Sequence, residues 1–196
     1  MVKNKPVYAF EEADSKKRML LGGKGAGLSE MTRLKLPVPP GFTITTEVCN
    51  KYYDNNRKLP KDVMPAVMKN IAKMEKKTGK KWNSTKNPLL VSVRSGAAIS
   101  MPGMMDTILN LGLNEKTVEG FAEQTKNPRF SWDSYRRFIQ LFGKVVFGVN
   151  DEKFDHVLDA AKEKQGVIDD SKLNVESLKI IVKEYKKICE EHTKRK

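Results

Sequence analysis

Six consecutive residues near the front of the chain, Gly22-Gly23-Lys24-Gly25-Ala26-Gly27, constrain its fold more than any other feature. Glycine has no Cβ, so the backbone can turn sharply and approach a neighbour or a ligand closely. Leu28, Met31 and Leu34 follow at helical spacing. The run therefore reads as a turn that opens a helix. A helix N-terminus offers N–H groups and the positive end of a dipole to an anion. Lys24 adds a mobile point charge. Together these suit a phosphate. The spacing matches neither the P-loop nor the dinucleotide fingerprint, and a structural turn with an incidental lysine fits the residues as well.

The elements around this run alternate between strand and helix. Residues 7–10 form a short β-favouring run. Pro37, Pro39, Pro40 and Gly41 end the glycine-led helix and force an extended turn. Residues 42–45 read as a strand, and Thr45 or Thr46 as the cap of a short helix carrying Val48, Tyr52 and Tyr53. Val63, Val67, Ile71 and Met74 mark a longer amphipathic helix closed by Gly79. Residues 89–93 are apolar and β-rich, the pattern of a buried strand, and residues 107–111 are a further strand. Beyond Gly112 the pattern turns helical. Asn114, Asn127-Pro128 and Asn174 stand as helix starts, with Gly166 as a helix end. The expected organisation is α/β (α+β), with a small mixed-sheet subdomain at 1–112 and an all-helical subdomain at 113–196.

Composition narrows the class. Hydrophobic residues make up 39% and charged residues 31%, which is a globular balance rather than a disordered one. No apolar run approaches the ~20 residues needed to cross a bilayer, and no secretory leader is legible. A cytoplasmic protein without a membrane partner is the expectation. Cys49 and Cys189 lack ligand spacing and read as two reduced core thiols. The net charge of +13 suggests a polyanion. Yet the lysines are scattered in pairs such as Lys76-Lys77 and Lys186-Lys187, as on solvated helix faces. With no nucleic-acid-binding motif present, no nucleic-acid partner is expected.

A second segment carries chemistry: Val93-Arg94-Ser95-Gly96, then Ala97-Ala98-Ile99-Ser100-Met101-Pro102-Gly103-Met104-Met105-Asp106-Thr107. An arginine at the end of a buried strand is costly unless it meets an anion, and its fork of donors matches phosphate oxygens. Ser95, Gly96, Ser100 and Gly103 supply hydroxyls and unobstructed N–H groups. A flexible loop, with Arg94 paired to a carboxylate and the methionines filling gaps, is equally compatible. The stretch from Gly96 to Met104 is expected to be mobile without ligand. In Tyr135-Arg136-Arg137-Phe138, consecutive residues point about 100° apart on a helix. At most one arginine can share the core face. His156 and His192 read as unpartnered surface residues.

At these motifs the chain resembles the pyruvate phosphate dikinase and phosphoenolpyruvate synthase family. Leu20-Leu21-Gly22-Gly23-Lys24-Gly25-Ala26-Gly27-Leu28-Ser29-Glu30-Met31 is similar to its N-terminal motif. Ser100-Met101-Pro102-Gly103-Met104-Met105-Asp106 after Val-Arg-Ser-Gly resembles the dikinase branch rather than the synthase branch. Pro39-Pro40-Gly41-Phe42, Asn127-Pro128-Arg129-Phe130 and Asp133-Ser134-Tyr135-Arg136-Arg137-Phe138 fit as well. The likeness runs from about Val7 to the C-terminus. Gly27 departs from it, since relatives often carry Asn there, which leaves Lys24 and the turn intact.

The resemblance implies one lobe of an ATP-grasp-like fold and a reaction that interconverts ATP, phosphate and pyruvate with AMP, pyrophosphate and phosphoenolpyruvate. It implies Mg²⁺ with the ATP, its ligands lying outside this chain, and none within it. It also implies the remaining domains of a longer enzyme as partners, and a homodimer at full length. On that basis Lys24 and Arg94 contact the nucleotide phosphates and act in catalysis. Ser95, Gly96, Ser100, Met101, Gly103 and Met105 belong to the loop covering the phosphates, and Arg137 to the phosphate site. The chain is then a portion of the enzyme, not expected to turn over alone. A synthase-like nucleotide lobe, or a basic binding module without catalysis, is the alternative.

Overall fold

The computed structural model describes residues 4–96 and 106–194 and divides into two compact units. The first comprises Met1–Lys80 with Ser95–Met105, the second Lys81–Arg94 with Asp106–Lys196. The architecture is mixed α/β. Seven α-helices and two small sheets are formed among the described residues. Sequence patterning changes at Gly112, whereas contacts divide the chain after Lys80. The strand pair formed by residues 91–94 and 107–111 packs with the helices that follow it.

In the first unit, β1 (Val7–Ala9) pairs antiparallel with β2 (Phe42–Ile44), setting Val7 opposite Ile44 and Ala9 opposite Phe42. Between them runs α1 (Arg18–Arg33), broken at Gly22, where φ is 71°. That angle is left-handed and strains any residue with a Cβ. The glycines after it lie inside the helix. The expected apolar face of Leu28, Met31 and Leu34 is not the buried one. Met31 and Leu34 are exposed, and Gly25, Ala26 and Ser29 face inward. Small size permits this. A Cβ on Gly25 would stand 2.7 Å from Oγ1 of Thr43, so the helix backbone lies almost against β2.

Helix α2 (Thr46–Asp54) follows β2. Neither threonine caps it through its side chain. The Thr45 hydroxyl is buried without a hydrogen-bond partner, while that of Thr46 donates to the carbonyl of Met19 at 2.7 Å. Cys49 is exposed, not core, because it shares the outer face of α2 with Asn50. Helix α3 (Val63–Thr78) ends on Gly79 in the left-handed conformation, as its sequence predicts. Its Lys73 and Lys77 pair with Glu12 and Glu11 beyond β1.

In the second unit, β3 (Val91–Arg94) and β4 (Thr107–Leu111) are antiparallel with an irregularity between Val91 and Val93. The buried strand expected over residues 89–93 is not found. Leu89 is buried just before β3, but the strand itself is largely exposed, because a two-stranded ribbon has no sheet neighbours to cover both faces. Helix α4 (Thr117–Thr125) starts beneath Asn114, whose Oδ1 accepts from the amides of Lys116 and Thr117 at 2.9 and 3.0 Å. Helix α5 (Pro128–Phe142) has Asn127 as its cap, accepting from the Phe130 amide, and Pro128 in its first turn. It continues into a π-turn over Gly143–Phe147. Asn150 caps α6 (Asp151–Gln165) and Asn174 caps α7 (Val175–Thr193). These helices enclose a core that includes Val118, Trp132, Tyr135, Ile139, Phe154, Leu178 and Tyr185.

Candidate functional site

The site residues read from the sequence fall in both units, and each is described where it stands. Lys24 lies just past the Gly22 break, on the first turn of the helical run that continues to Arg33. It is half-buried, and its Nζ donates to the carbonyl oxygen of Ser95 at 3.4 Å. That contact spans 71 positions and brings the glycine-led motif to the serine of the second motif. Gly25 is there for packing against Thr43. Gly27 has open space around it, and a Cβ there would meet nothing within 4 Å.

Arg94 ends β3 and is exposed, as are Ser95 and Gly96. The cost of burying an arginine therefore gives no argument for an anion here. No carboxylate among the described residues pairs with Arg94 either, so the rival reading of a paired structural arginine is not realised among them. Ser100, Met101, Gly103 and Met105, and with them the expectation about the order of residues 96–104, lie outside the described residues.

The adjacent arginines of α5 have separated as helix geometry requires. Arg136 is buried and Arg137 is exposed. Both bind Asp133, one turn earlier. Oδ1 of Asp133 accepts from Nε and Nη2 of Arg136, each at 2.8 Å, and Oδ2 accepts from Nε of Arg137 at 3.1 Å. Burial works against the charge of Arg136. The field and hydrogen bonds of Asp133 outweigh it, so the guanidinium holds its proton more tightly than usual. The remaining nitrogen of Arg136, Nη1, donates to Oε1 of Gln140 at 3.3 Å, and Oδ2 of Asp170 stands 3.7 Å from Nη2. Burial pushes the Tyr185 hydroxyl up to about 12, partly offset by Arg136.

Asp133 was legible as part of a motif but carried no role in the sequence reading. Its signal was the placement of one carboxylate three and four positions ahead of two arginines on a helix. Arg129 is engaged structurally, donating from Nε to the carbonyl of Leu173 at 3.1 Å and from Nη2 to that of Asp170 at 2.8 Å. His156 is an exposed residue of α6. His192, expected to be unpartnered, lies 2.9 Å from the carbonyl of Phe147, because the π-turn leaves that carbonyl at the side of α7. Among the described residues no group of three or more His, Cys, Asp and Glu is arranged to hold a metal ion. None of the described helices is long and apolar enough to cross a membrane.

Comparison with known proteins places these features in context. The chain matches the family described as pyruvate phosphate dikinase, AMP/ATP-binding domain, over residues 18–59 and 55–195. It is 54% identical over 188 residues to the pyruvate, phosphate dikinase of Entamoeba histolytica, covering 96% of this chain and 21% of that protein. To the pyruvate, phosphate dikinase of Clostridium symbiosum it is 50% identical over 185 residues, covering 94% of this chain and 21% of the other. To that of Giardia intestinalis it is 48% identical over 190 residues, with 93% and 21% covered. The chain thus spans about a fifth of the length of the curated relatives it matches.

Proposed function

Since the chain belongs to the pyruvate phosphate dikinase AMP/ATP-binding domain family, we propose that it binds the phosphates of ATP for a dikinase. The reaction interconverts ATP, phosphate and pyruvate with AMP, pyrophosphate and phosphoenolpyruvate. The observation that carries this reading is the contact of Lys24 with Ser95, which joins two motifs that each suit phosphate binding. In this reading Lys24 and Arg94 neutralise phosphate charge. Ser95, Gly96, Ser100, Met101, Gly103 and Met105 supply the covering loop, and Arg137 adds a further phosphate contact.

Phosphoryl transfer depends mainly on positioning and on stabilising developing charge. A lysine serves as a mobile point charge, while an arginine can grip two oxygens at once. The two residue types are complementary in that task. Mg²⁺ is proposed to accompany the nucleotide and to supply further charge neutralisation. Its ligands are proposed to come from outside this chain. An ATP-grasp-like lobe, a cytoplasmic location, a homodimeric full-length enzyme and partnership with that enzyme's further domains belong to the same proposal.

Calorimetry with Mg-ATP on the 196-residue chain and on Arg94→Ala and Lys24→Ala variants tests it. Weak binding by the parent chain is expected, reduced about tenfold by either change, the scale of one hydrogen bond to a charged group. Binding that is unchanged in both variants removes their assigned role. Tight, steeply salt-dependent binding of DNA instead of ATP would point to a basic module without catalysis.

A further inference from the structure

We propose that Asp133 is the positioning residue for Arg137, fixing its guanidinium so that the outer nitrogen pair meets phosphate oxygens. The inference rests on the assignment of Arg137 to the phosphate site, but the geometry behind it is independent of that assignment. Asp133 divides its two oxygens between two arginines. Oδ1 is taken up by buried Arg136, whose side chain is 3% exposed. Oδ2 holds Nε of Arg137, whose side chain is 61% exposed.

The division has two consequences. The first concerns charge. The single carboxylate of Asp133 is shared by two guanidiniums, and of the two it is that of Arg137 which stands on the surface. The second concerns shape. Arg137 is held through Nε alone, and no described residue takes up its Nη1 and Nη2. Those two nitrogens form the end-on fork that matches two oxygens of a phosphate. A free arginine side chain loses rotamer freedom when it binds. One already held at Nε has lost much of it beforehand, and this pre-organisation favours binding.

Arg136 serves as the anchor of the arrangement. Its Nη1 reaches Oε1 of Gln140 at 3.3 Å, and Nε2 of Gln140 donates to Oδ1 of Asp151 at 3.1 Å. The carboxylate of Asp133 is thereby tied to the start of α6 as well as to its own helix, and cannot swing to follow Arg137. A surface Asp–Arg pair without this backing would give little orientation.

Removing Asp133 alone leaves buried Arg136 with only the more distant carboxylate of Asp170, at 3.7 Å, and endangers the fold. The test therefore uses the paired change Asp133→Ala with Arg136→Met, which removes both buried charges and leaves Arg137 in place, alongside Arg137→Ala and the triple variant. Two quantities are read. One is the ¹H–¹⁵N resonance of the Arg137 Nε–H in the absence of ligand. The other is the affinity for ATP and for inorganic pyrophosphate by NMR titration.

In the parent chain the Arg137 resonance is expected to be resolved and slow to exchange, and in the paired variant to be lost. Affinity is expected to fall about tenfold in the paired variant, with no further fall in the triple variant relative to Arg137→Ala. If Arg137→Ala weakens binding and the paired change does not, Asp133 has no positioning role and the inference is overturned. If Arg137→Ala has no effect on either ligand, the phosphate-site assignment itself fails, and the inference fails with it. A resonance that persists in the paired variant also overturns it, whatever the affinities.

Discussion

The two units of this molecule are held together by different means. Among the described residues, the buried apolar ones of the first are Val7, Ala9, Leu20, Leu21, Ala26, Val48, Val63 and Ile71, with no aromatic ring among them. There glycine backbone packs directly against single side chains of neighbouring segments. Gly25 abuts Thr43, and a Cβ on Gly41 would meet the ring of Phe10 at 2.4 Å. The second unit is filled by large side chains. Phe154 and Tyr185, both fully buried, meet edge to face with ring centroids 4.8 Å apart, and a buried ion pair lies beside them. Beside that packing Lys24 stands half-buried, on the first turn after the Gly22 break. Bulky packing instead builds a rigid support, from which one arginine is presented outward. Each kind of packing suits the kind of group it displays.

The largest test of this contrast is Phe154→Ala. Removing a fully enclosed ring from the second unit is expected to destabilise it by about 3–5 kcal/mol. Urea unfolding followed by tryptophan fluorescence reads this directly, since Trp82 and Trp132 both belong to that unit. A loss under about 1 kcal/mol would mean that the core refills easily and is not the rigid support described.

Next in size is an alkaline effect. Tyr185 has its pKa raised from 10.0 to about 12, so the folded state keeps its proton where the unfolded chain has released it. Its contribution is complete below about pH 10 and is lost as the pH rises through about 12, approaching ~2–3 kcal/mol. Urea midpoints at pH 9 and pH 11 should therefore separate for the parent chain. In Tyr185→Phe the separation should shrink, and an equal shift in both proteins would contradict the assignment.

The smallest effects lie in the first unit, where two glycines of one helix should respond in opposite senses. Gly25→Ala forces a methyl against Thr43, and is expected to cost about 1 kcal/mol net after the gain in helix propensity. Adding Thr43→Ala should relieve most of it. Gly27→Ala meets nothing within 4 Å, and should stabilise by about 0.5–1 kcal/mol. Thermal melts of the three variants decide this. A destabilising Gly27→Ala would show that position 27 is not open.

Much of this molecule was legible in its residues. Helix starts at Asn127-Pro128 and Asn174 and helix ends at Gly79 and Gly166 are local events, made by side chains and backbone angles within a turn of one another. The two phosphate-suited motifs were legible for the same reason, because each is contiguous. Burial was less legible. The apolar run at residues 89–93 implied a covered strand, but cover depends on neighbours that no local pattern specifies, and a two-stranded ribbon supplies few. The apolar positions of α1 pointed to the wrong inner face, because small residues can pack more closely than large ones.

From the amino acids alone, the order of elements, the change to helices after Gly112 and the pairing of glycine turns with cationic side chains were determined, since all follow from spacing along the chain. Tertiary structure alone decided that Lys24 reaches Ser95 across 71 positions and that Asp133 serves Arg136 and Arg137 at once. The reason is physical. A motif states which groups are present, but the direction of a long charged side chain is set by the partners that desolvation and packing bring to it.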